Sequence, residues 1–314
     1  LEIILVDDGS TDTSGEICDE AARVDKRIRV IHKKNAGLGM ARNSGLDYAT
    51  GKYVLFVDSD DYVECNYVEV LLETLLKYQA DMVLMGHIRD RSDGTKIKKA
   101  ITDKLEYIDQ AEIIDRVLLP IIGAAPEQCG DVELEMSVCM CIYRQSMIQQ
   151  LELRFLSERE IVSEDLFFNI RYVLNCKSAV LISECLYHYV DNRNSLTNTY
   201  RADRFEKYCK MIKYQQQFLR EHGLLERAEL RQCRTFIMKT KKCIASIATS
   251  GLPFKEKRSE CKKILGSAIL SGILKTYEKS VFTANQKLQV YMLKHKMTNA
   301  LLLFYRLKAK QTRK

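Results

Sequence analysis

The sequence predicts an α/β protein in which a mostly parallel sheet with flanking helices is followed by an all-helical region. Over roughly the first 90 residues, apolar runs typical of buried strands alternate with amphipathic segments, which is typical of parallel strands joined by helical crossovers. Beyond residue 200, apolar residues recur instead at three- and four-residue spacing, which predicts helices. The chain of 314 residues is 46% hydrophobic and 29% charged, as expected of one large folded domain or two ordinary ones.

The first elements follow from short apolar runs and turn residues. The run "EIILV" is continuous rather than alternating, so we expect a strand that is covered on both faces. Ser10 or Thr11 is expected to cap the helix that follows, "TSGEICDEAARV". The next elements are predicted in the order strand, helix, strand, helix, strand and hairpin tip, at "IRVIHKK", "GLGMARNSGLDYA", "KYVLFVD", "NYVEVLLETLLKYQA", "DMVLMGH" and "RDRSDGTK".

The second half of the chain is predicted to become helical. Between about residues 105 and 200 we expect helices at "YIDQAEIIDRVLL" and "EDLFFNIRYVLNC" and a strand at "AVLISECLYHYV". A helix at "RFEKYCKMIKYQQQFLREHG" should end at Gly223, and Pro253 marks a helix break. Further helices are expected over residues 226–249, 254–275 and 284–309. These patterns divide the chain into domains at 1–200 and 201–314.

The charge distribution differs between the two predicted domains. Residues 201–314 contain 27 Lys and Arg against 8 Asp and Glu, whereas residues 1–200 contain 22 against 34. A basic helical region can bind nucleic acid, anionic lipid or an acidic polymer, or can present a solvated basic surface. No nucleic acid partner is expected, because no recognised binding module accompanies the charge.

Two further features concern the compartment. The longest apolar stretch is shorter than the ~18 residues that a membrane span requires, so no transmembrane helix is expected. The 11 cysteines show no paired CxxC spacing, which favours buried thiols in a reducing, cytoplasmic compartment over a metal or disulfide role.

Two groups of carboxylates follow predicted strands. Asp7 and Asp8 end the first strand, and Asp58, Asp60 and Asp61 end the third. Because ligands of open parallel sheets bind beyond the carboxyl ends of the strands, both groups should share one rim. Adjacent carboxylates repel one another unless a cation or solvent offsets the charge, and Mg²⁺ accepts one or two carboxylates together with phosphate oxygens. The spacing predicts a metal and diphosphate site, with a solvated acidic turn as the alternative.

Three motifs carry a resemblance to a known family. "ILVDDGSTD", "NAGLGMARNSGL" and "KYVLFVDSDD" strongly resemble the bacterial family 2 glycosyltransferases, which build capsular and exopolysaccharides. The motifs cover residues 1 to about 90, and a weaker likeness through "SEDLFF" and "YHYVDNRNSLT" extends to about residue 200. The resemblance implies the Rossmann-like fold called GT-A. It also implies transfer of a sugar, with inversion, from a nucleotide-sugar such as a UDP-sugar to a saccharide or polyprenyl-linked acceptor.

The resemblance also implies roles in donor binding. Asp8 matches the carboxylate that binds the uracil base, with Asp7 beside it. Asp58, Asp60 and Asp61 match the signature that holds the donor's ribose and, through Mg²⁺ or Mn²⁺, its diphosphate. Other residues expected near the donor are Asn35, Gly37, Arg42, Asn43, His188 and Arg193, of which His188 is expected to serve as a metal ligand with Asp60 and Asp61.

The expected catalytic residues lie in "SED". Asp165 matches the family's general base, and Glu164 stands beside it. Each of three predicted roles has an ordinary alternative: Asp165 at a helix start can interact with the helix dipole, Arg42 on an amphipathic helix can be solvated, and His188 between tyrosines can be a packed core residue.

The sequence departs from the family pattern at its start. Relatives carry an earlier strand before the "VDDGS" motif that this sequence lacks, so we expect an N-terminally truncated form that binds nucleotide poorly.

A non-catalytic, glycosyltransferase-like binding protein is the alternative function. An aspartyl-phosphate phosphatase is set aside, because Tyr62 stands where its motif requires Thr or Val. Family context favours the inner face of the plasma membrane, where basic helices meet anionic lipid.

Overall fold

A computed structural model of the chain describes residues 1–128, 133–192, 200–277 and 282–311. Its contacts divide the chain into two compact units. The first comprises Leu1–Leu118 and Glu135–Asp191, and the second comprises Leu119–Leu134 and Asn192–Lys314. The predicted domains 1–200 and 201–314 stay a prediction, and by these contacts Leu119–Leu134 belongs to the second unit.

The first unit begins with a parallel pair of strands. β1 (Ile3–Asp7) and β2 (Ile28–His32) pair in register from Ile3 opposite Ile28, with helix α1 (Ser14–Val24) between them in sequence and α2 (Leu38–Tyr48) after them. These four predicted elements are confirmed, but all residues of β1 are half-buried, so the expectation of a strand covered on both faces is wrong. The predicted cap is wrong: α1 begins at Ser14, so Thr13 rather than Ser10 or Thr11 precedes it, and Thr13 makes no side-chain cap bond. The Ser14 N–H donates instead to the Asp12 carboxylate at 3.0 Å.

Nine short strands form the other two sheets of this unit. In chain order they are β3 (Tyr53–Val54), β4 (Tyr62–Val63), β5 (Met82–Leu84), β6 (His87–Asp90), β7 (Lys96–Lys99), β8 (Glu106–Asp109), β9 (Cys141–Arg144), β10 (Ser178–Leu181) and β11 (Tyr187–Val190). One sheet has the order β3-β9-β5-β10-β8, and the other has the order β4-β11-β6-β7.

The α/β class is confirmed, and the strand directions are mixed. The pairs β1-β2, β5-β10 and β6-β11 are parallel, as the alternation of strands and helices predicts. The other described pairs are antiparallel. Two of them arise because β9 comes from a distant part of the chain and inserts between β3 and β5. The hairpin predicted at "RDRSDGTK" is confirmed by the antiparallel pair β6-β7.

Two predicted segments have a different structure. "YIDQAEIIDRVLL" was expected to be one helix, but it forms β8, then a π-helical turn at Ile114–Leu118. The reason is tertiary: Ile108 is fully buried against Ala179 of β10, so a strand is stabilised there. "AVLISECLYHYV" was expected to be one strand, but it divides into β10 and β11, which belong to different sheets.

Helices and an aromatic cluster complete the first unit. The helices are α3 (Tyr67–Tyr78), α5 (Gln145–Gln150) and α6 (Glu164–Val173). Phe155 stacks on Phe168 of α6 with ring centroids 4.2 Å apart, and Phe56 meets both rings edge-on. This cluster joins the chain after β3, the segment before α6 and α6 itself, so it fixes the side chains that these parts carry.

The second unit is helical. It contains α4 (Leu119–Ile122), α7 (Arg204–Glu221), α8 (Leu225–Thr249), α9 (Phe254–Leu265), α10 (Ala268–Thr276), α11 (Ala284–Lys294) and α12 (Thr298–Gln311). Gly223 follows α7 with a φ of 68°, and Pro253 precedes α9, as predicted. The segments 254–275 and 284–309 each form two helices rather than one, because Ser267 caps α10 and Lys296 adopts a φ of 52°. Among the described helices, none has the length and apolar character that crossing a membrane requires.

Candidate functional site

Asp8 binds the N-terminus of α2. Its carboxylate accepts hydrogen bonds from the backbone N–H of Ala36 at 3.1 Å and of Gly37 at 2.7 Å, and from Lys33 Nζ at 2.6 Å. Partial burial opposes ionisation, but these donors, with Lys33 foremost, lower the pKa of Asp8. Asp8 therefore holds the loop between β2 and α2, and its predicted contact with uracil stays a prediction.

Asp7 belongs to a second, more exposed group. Its carboxylate accepts from the Ser10 backbone at 2.8 Å and lies 2.9 Å from His32 Nδ1, while His32 Nε2 lies 3.0 Å from Asp19. The hydrogen bonds from Ser10, and then His32, lower the pKa of Asp7 to about 2. Asp7, and then Asp19, raise the pKa of His32 above its usual value.

This arrangement predicts the pH range in which His32 bridges the two aspartates. Asp7 contributes stability above its unfolded value of 3.8 and loses it as the pH falls towards about 2. His32 contributes below its unfolded value of 6.5 and loses its share as the pH rises through its higher folded value. An NMR titration of the His32 ring should give a pKa above 6.5, and Asp7→Asn should lower it more than Asp19→Asn. Equal pKa values in all three proteins would contradict the bridge.

Arg42 joins two parts of the predicted site. Its guanidinium donates to Asp58 Oδ1 at 2.7 Å and to Glu164 Oε1 at 2.9 Å, and it lies 5.4 Å from the centroid of the Phe155 ring. Only 8% of the side chain is exposed. Burial opposes the charge, but Asp58 and Glu164 raise the pKa of Arg42. The alternative of a solvated Arg42 is therefore wrong, because both neighbouring carboxylates hold it inside.

Glu164 and Asp165 begin α6. Ser163, with a φ of 65°, precedes the helix, and the Asp165 carboxylate accepts from the Leu166 backbone N–H at 2.8 Å. Burial, and then the charge of Asp165, raise the pKa of Glu164 to about 7 although Arg42 opposes this shift. The predicted base and its neighbour thus share the start of one helix with differing environments: Glu164 is buried, and Asp165 is half-buried.

The aspartates after β3 form a turn that Tyr187 holds. The Asp61 backbone N–H donates to the Asp58 carbonyl at 3.1 Å, and Tyr187 Oη accepts from the Asp58 backbone and donates to the Asp61 carboxylate. Asp61 also accepts from the Val190 N–H at 2.9 Å. Burial, with the charges of Asp60 and Asp58, nevertheless raises the pKa of Asp61. Asp60 is exposed at the tip of this turn.

His188 of β11 is buried, and its ring lies between two carboxylates. Its Nδ1 lies 3.1 Å from Asp90 and its Nε2 lies 2.9 Å from Glu64. The ring stacks on Tyr62 with centroids 4.2 Å apart, and 2% of the side chain is exposed. In this arrangement both ring nitrogens have partners, so a metal could bind His188 only if one partner were released. Arg193 lies outside the described residues.

Two predicted donor residues hold the segment before α6 against α2. Asn43 donates to the Phe155 carbonyl at 2.9 Å and accepts from the Phe155 N–H at 2.8 Å. The Asn35 side chain and carbonyl accept from Arg159. These contacts are structural, and the predicted role of both asparagines in donor binding stays a prediction.

Sequence reasoning missed the residues that close this segment onto α2. Glu158 accepts from the Gly39 N–H at 3.2 Å, and a Cβ atom on Gly37 would lie only 1.8 Å from Glu158 Oε1. The positive φ of Gly37, 99°, also favours glycine. The glycines of "NAGLGMARN" were the only available signal, since they indicate a close approach without naming the partner. Residues 155–159 therefore lie against α2 and the loop before it, which carry predicted site residues.

The aspartates after β3 fit a divalent cation only if phosphate oxygens complete its coordination shell. Within the described residues, no group of three or more His, Cys, Asp or Glu is placed to hold a metal. Asp58 is bound by Arg42 and Asp61 by Tyr187, whereas Asp60 is exposed. Because Mg²⁺ needs only one or two protein carboxylates when phosphate oxygens complete its shell, this donor set fits a cation that binds together with a diphosphate.

Comparisons with known proteins identify a matching family. Residues 1–151 match the family described as Glycosyl transferase family 2. EpsH of Bacillus subtilis, named as a glycosyltransferase, is 31% identical over 239 residues, which cover 76% of this chain and 66% of EpsH. EpsJ of the same organism is 33% identical over 226 residues, which cover 71% of this chain and 62% of EpsJ. The chain thus spans slightly less than two thirds of these relatives.

Solved structures share the fold. The crystal structure of residues 1–349 of TarS from S. aureus in complex with UDP has a TM-score of 0.54 and 16% identity, covering 99% of this chain and 82% of that one. The complex of the same protein with UDP-GlcNAc has a TM-score of 0.51 and 17% identity. The motifs, the matched family and the curated relatives agree, and the chain belongs to the family 2 glycosyltransferases.

Proposed function

We propose that this chain transfers a sugar, with inversion, from a UDP-sugar to a saccharide or polyprenyl-linked acceptor during cell-surface polysaccharide synthesis. The observation that carries the proposal is the bridge by Arg42 from Asp58 to Glu164. It sets the aspartate turn, proposed to bind the donor, beside the start of α6, proposed to carry the base. Donor and acceptor chemistry would then meet at one place.

Asp165 is the proposed general base. In an inverting transfer, a base removes the proton from the acceptor hydroxyl while that oxygen attacks the anomeric carbon opposite the leaving diphosphate. Asp165 is half-buried at the start of α6, next to the buried Glu164. Arg42 holds Glu164 at 2.9 Å and thereby orients this end of the helix. Its buried positive charge also lies beside Asp58, where it would stabilise charge on a departing diphosphate.

The proposed cofactor is Mg²⁺ or Mn²⁺. Asp60 would hold it with the donor's phosphate oxygens, and Asp58 would contact the ribose. When bound, the cation would neutralise negative charge on the leaving diphosphate. Asp61 and His188 remain in the proposed metal set on condition that they exchange their present hydrogen bonds for the cation.

The remaining donor contacts are proposed for the loop between β2 and α2 and its surroundings. Asp8 would bind the uracil base, and TarS, which is described in complexes with UDP and UDP-GlcNAc, supports a uridine nucleotide. The other proposed contacts are Asp7, Asn35, Gly37, Asn43 and Arg193. We place the enzyme at the inner face of the plasma membrane, where the basic second unit would meet anionic lipid and a polyprenyl-linked acceptor.

Substitutions at the two carboxylate groups test this function. Asp165→Asn should lower transfer from UDP-sugars by roughly 10²- to 10⁴-fold and leave UDP binding unchanged, because a base acts only in the chemical step. Asp60→Asn should instead remove the dependence of UDP binding on Mn²⁺. Saturation-transfer NMR, which detects weak ligands, measures binding, and product formation measures transfer. The exposed Asp103, changed to Asn, serves as the control.

The outcomes separate an enzyme from a binding protein. Wild-type protein that binds UDP but neither hydrolyses nor transfers any UDP-sugar would support a non-catalytic, glycosyltransferase-like binding protein. Absence of UDP binding, or full activity of Asp165→Asn, would overturn the proposal.

A further inference from the structure

The last two helices of the second unit expose apolar side chains that the core does not use. α11 and α12 are joined by three residues and contact each other. Their inner faces are buried in the core of the unit, as shown by Met292, Leu293, Leu301, Leu302 and Tyr305. Their outer faces and the connection between them carry exposed residues that we call the hairpin surface: Leu288 and Tyr291 on α11, Met297 in the connection, and Leu303 and Leu307 on α12.

The exposed apolar residues follow helical spacing. Leu303 and Leu307 lie one turn apart on α12 and are 58% and 52% exposed. Leu288 and Tyr291, three residues apart on α11, are 50% and 56% exposed. Each helix therefore has two apolar sides, one buried in the unit and one facing solvent. This second apolar side is available for contact with something outside this unit.

The charges around these residues have one sign. Residues 282–314 contain eight Lys and Arg and no Asp or Glu. Lys287 and Lys294 are exposed on α11, and Arg306 and Lys308 are exposed on α12. Lysine and arginine can extend their charged ends to lipid headgroups while their stems cover apolar surface. Apolar residues flanked by cations are typical of helices that lie in the interface of an anionic membrane.

A groove beside the hairpin adds further cations. It has a volume of about 440 Å³, and its lining includes Arg258 and Lys262 of α9 and Lys296 and Met297 of the connection between α11 and α12. Met297 is 40% exposed. The groove thus places three positive charges next to an exposed apolar side chain. This arrangement is complementary to a lipid, because the charges can bind its phosphate and the apolar side chain can contact its acyl chains.

We propose that the hairpin surface docks on an anionic lipid bilayer. A second copy of this chain fits less well, because two such surfaces would bring cations against cations with no carboxylate between them. A bilayer offers acyl chains to the leucines and phosphate to the lysines at the same time. The inference deepens the membrane attachment in the proposed function and rests on it for its biological meaning, although the binding itself is independent of catalysis.

Vesicle sedimentation tests the proposal with matched variants. The full chain is mixed with vesicles of phosphatidylglycerol and phosphatidylcholine in equal parts, or of phosphatidylcholine alone. Leu303→Ser with Leu307→Ser should lower the partition coefficient on anionic vesicles by about tenfold, because two apolar contacts are lost. Arg306→Gln with Lys308→Gln should lower it by about 25-fold, since each cation near the surface is worth about fivefold.

The controls lie in the first unit. Leu76 and Leu105, 54% and 41% exposed, are changed together to Ser, and the exposed Lys98 and Lys104 are changed together to Gln. Both control variants should bind like the wild type. All substitutions are at exposed positions, and circular dichroism confirms that each variant is folded.

Three results would overturn the proposal. The first is equal binding by the hairpin and control variants, and the second is equal binding to anionic and zwitterionic vesicles. The third is self-association of the wild type without vesicles that the leucine substitutions abolish, which would identify a contact between copies. UDP binding, measured on the same samples, reports separately on the proposed glycosyl transfer.

Discussion

Replacing Arg42 by Met is expected to lower the free energy of unfolding by about 3–5 kcal/mol, the usual cost of leaving buried charge without its partner. Asp58 and Glu164 would both lose their cation, and Glu164 is only 11% exposed at its side chain. Transfer activity should fall as well, because the aspartate turn and the start of α6 would no longer be linked. The fall in activity should persist at temperatures where the variant remains folded.

Arg154 provides a matched control. It pairs with Asp47 at 2.9 Å, but both side chains are about half exposed. Exposed pairs of this kind contribute at most about 1 kcal/mol, so Arg154→Met should change little. Chemical denaturation followed by circular dichroism, with hydrogen exchange in α2 to assign the effect to the first unit, measures both variants. Similar losses for the two arginines would contradict the buried bridge.

Replacing Gly39 by Ala is expected to cost about 1–3 kcal/mol by overpacking. A Cβ atom there would lie 2.2 Å from the carbonyl oxygen of Leu156, a backbone atom that cannot move without shifting residues 155–158. That shift would also disturb the hydrogen bond from Gly39 to Glu158 and the paired bonds between Asn43 and Phe155. We therefore expect lower stability and weaker UDP binding.

Gly45 lies in the same helix and should respond in the opposite direction. A Cβ atom there would meet only Val6 Cγ2, at 3.6 Å, which is ordinary contact. Since alanine is favoured over glycine inside a helix by up to about 1 kcal/mol, Gly45→Ala should stabilise the protein. Thermal unfolding of both variants checks the contrast. If Gly39→Ala were as stable as Gly45→Ala, residues 155–158 would not lie against α2 as described.

Local sequence determined most elements of this protein. A continuous apolar run predicted β1, a short segment rich in β-branched residues predicted β2, and helical spacing predicted α1, α3, α6, α7 and α8. These patterns depend on residues that are close in the chain. Strand directions depend on distant partners. β9 inserts between β3 and β5, and "YIDQAEIIDRVLL" became a strand at its start because β10 lies beside it.

The residues of the candidate site were also predicted partly from sequence and decided partly by the tertiary structure. The carboxylates after the strands and the "SED" motif were found from sequence and family resemblance, since residue type and position mark them. Only the tertiary structure decided that Arg42 is buried between Asp58 and Glu164, that His188 is held by Asp90 and Glu64, and that Glu158 closes on Gly39. These contacts join residues up to 124 positions apart. Their formation depends on how the core packs, and no local pattern of charge or hydrophobicity specifies it.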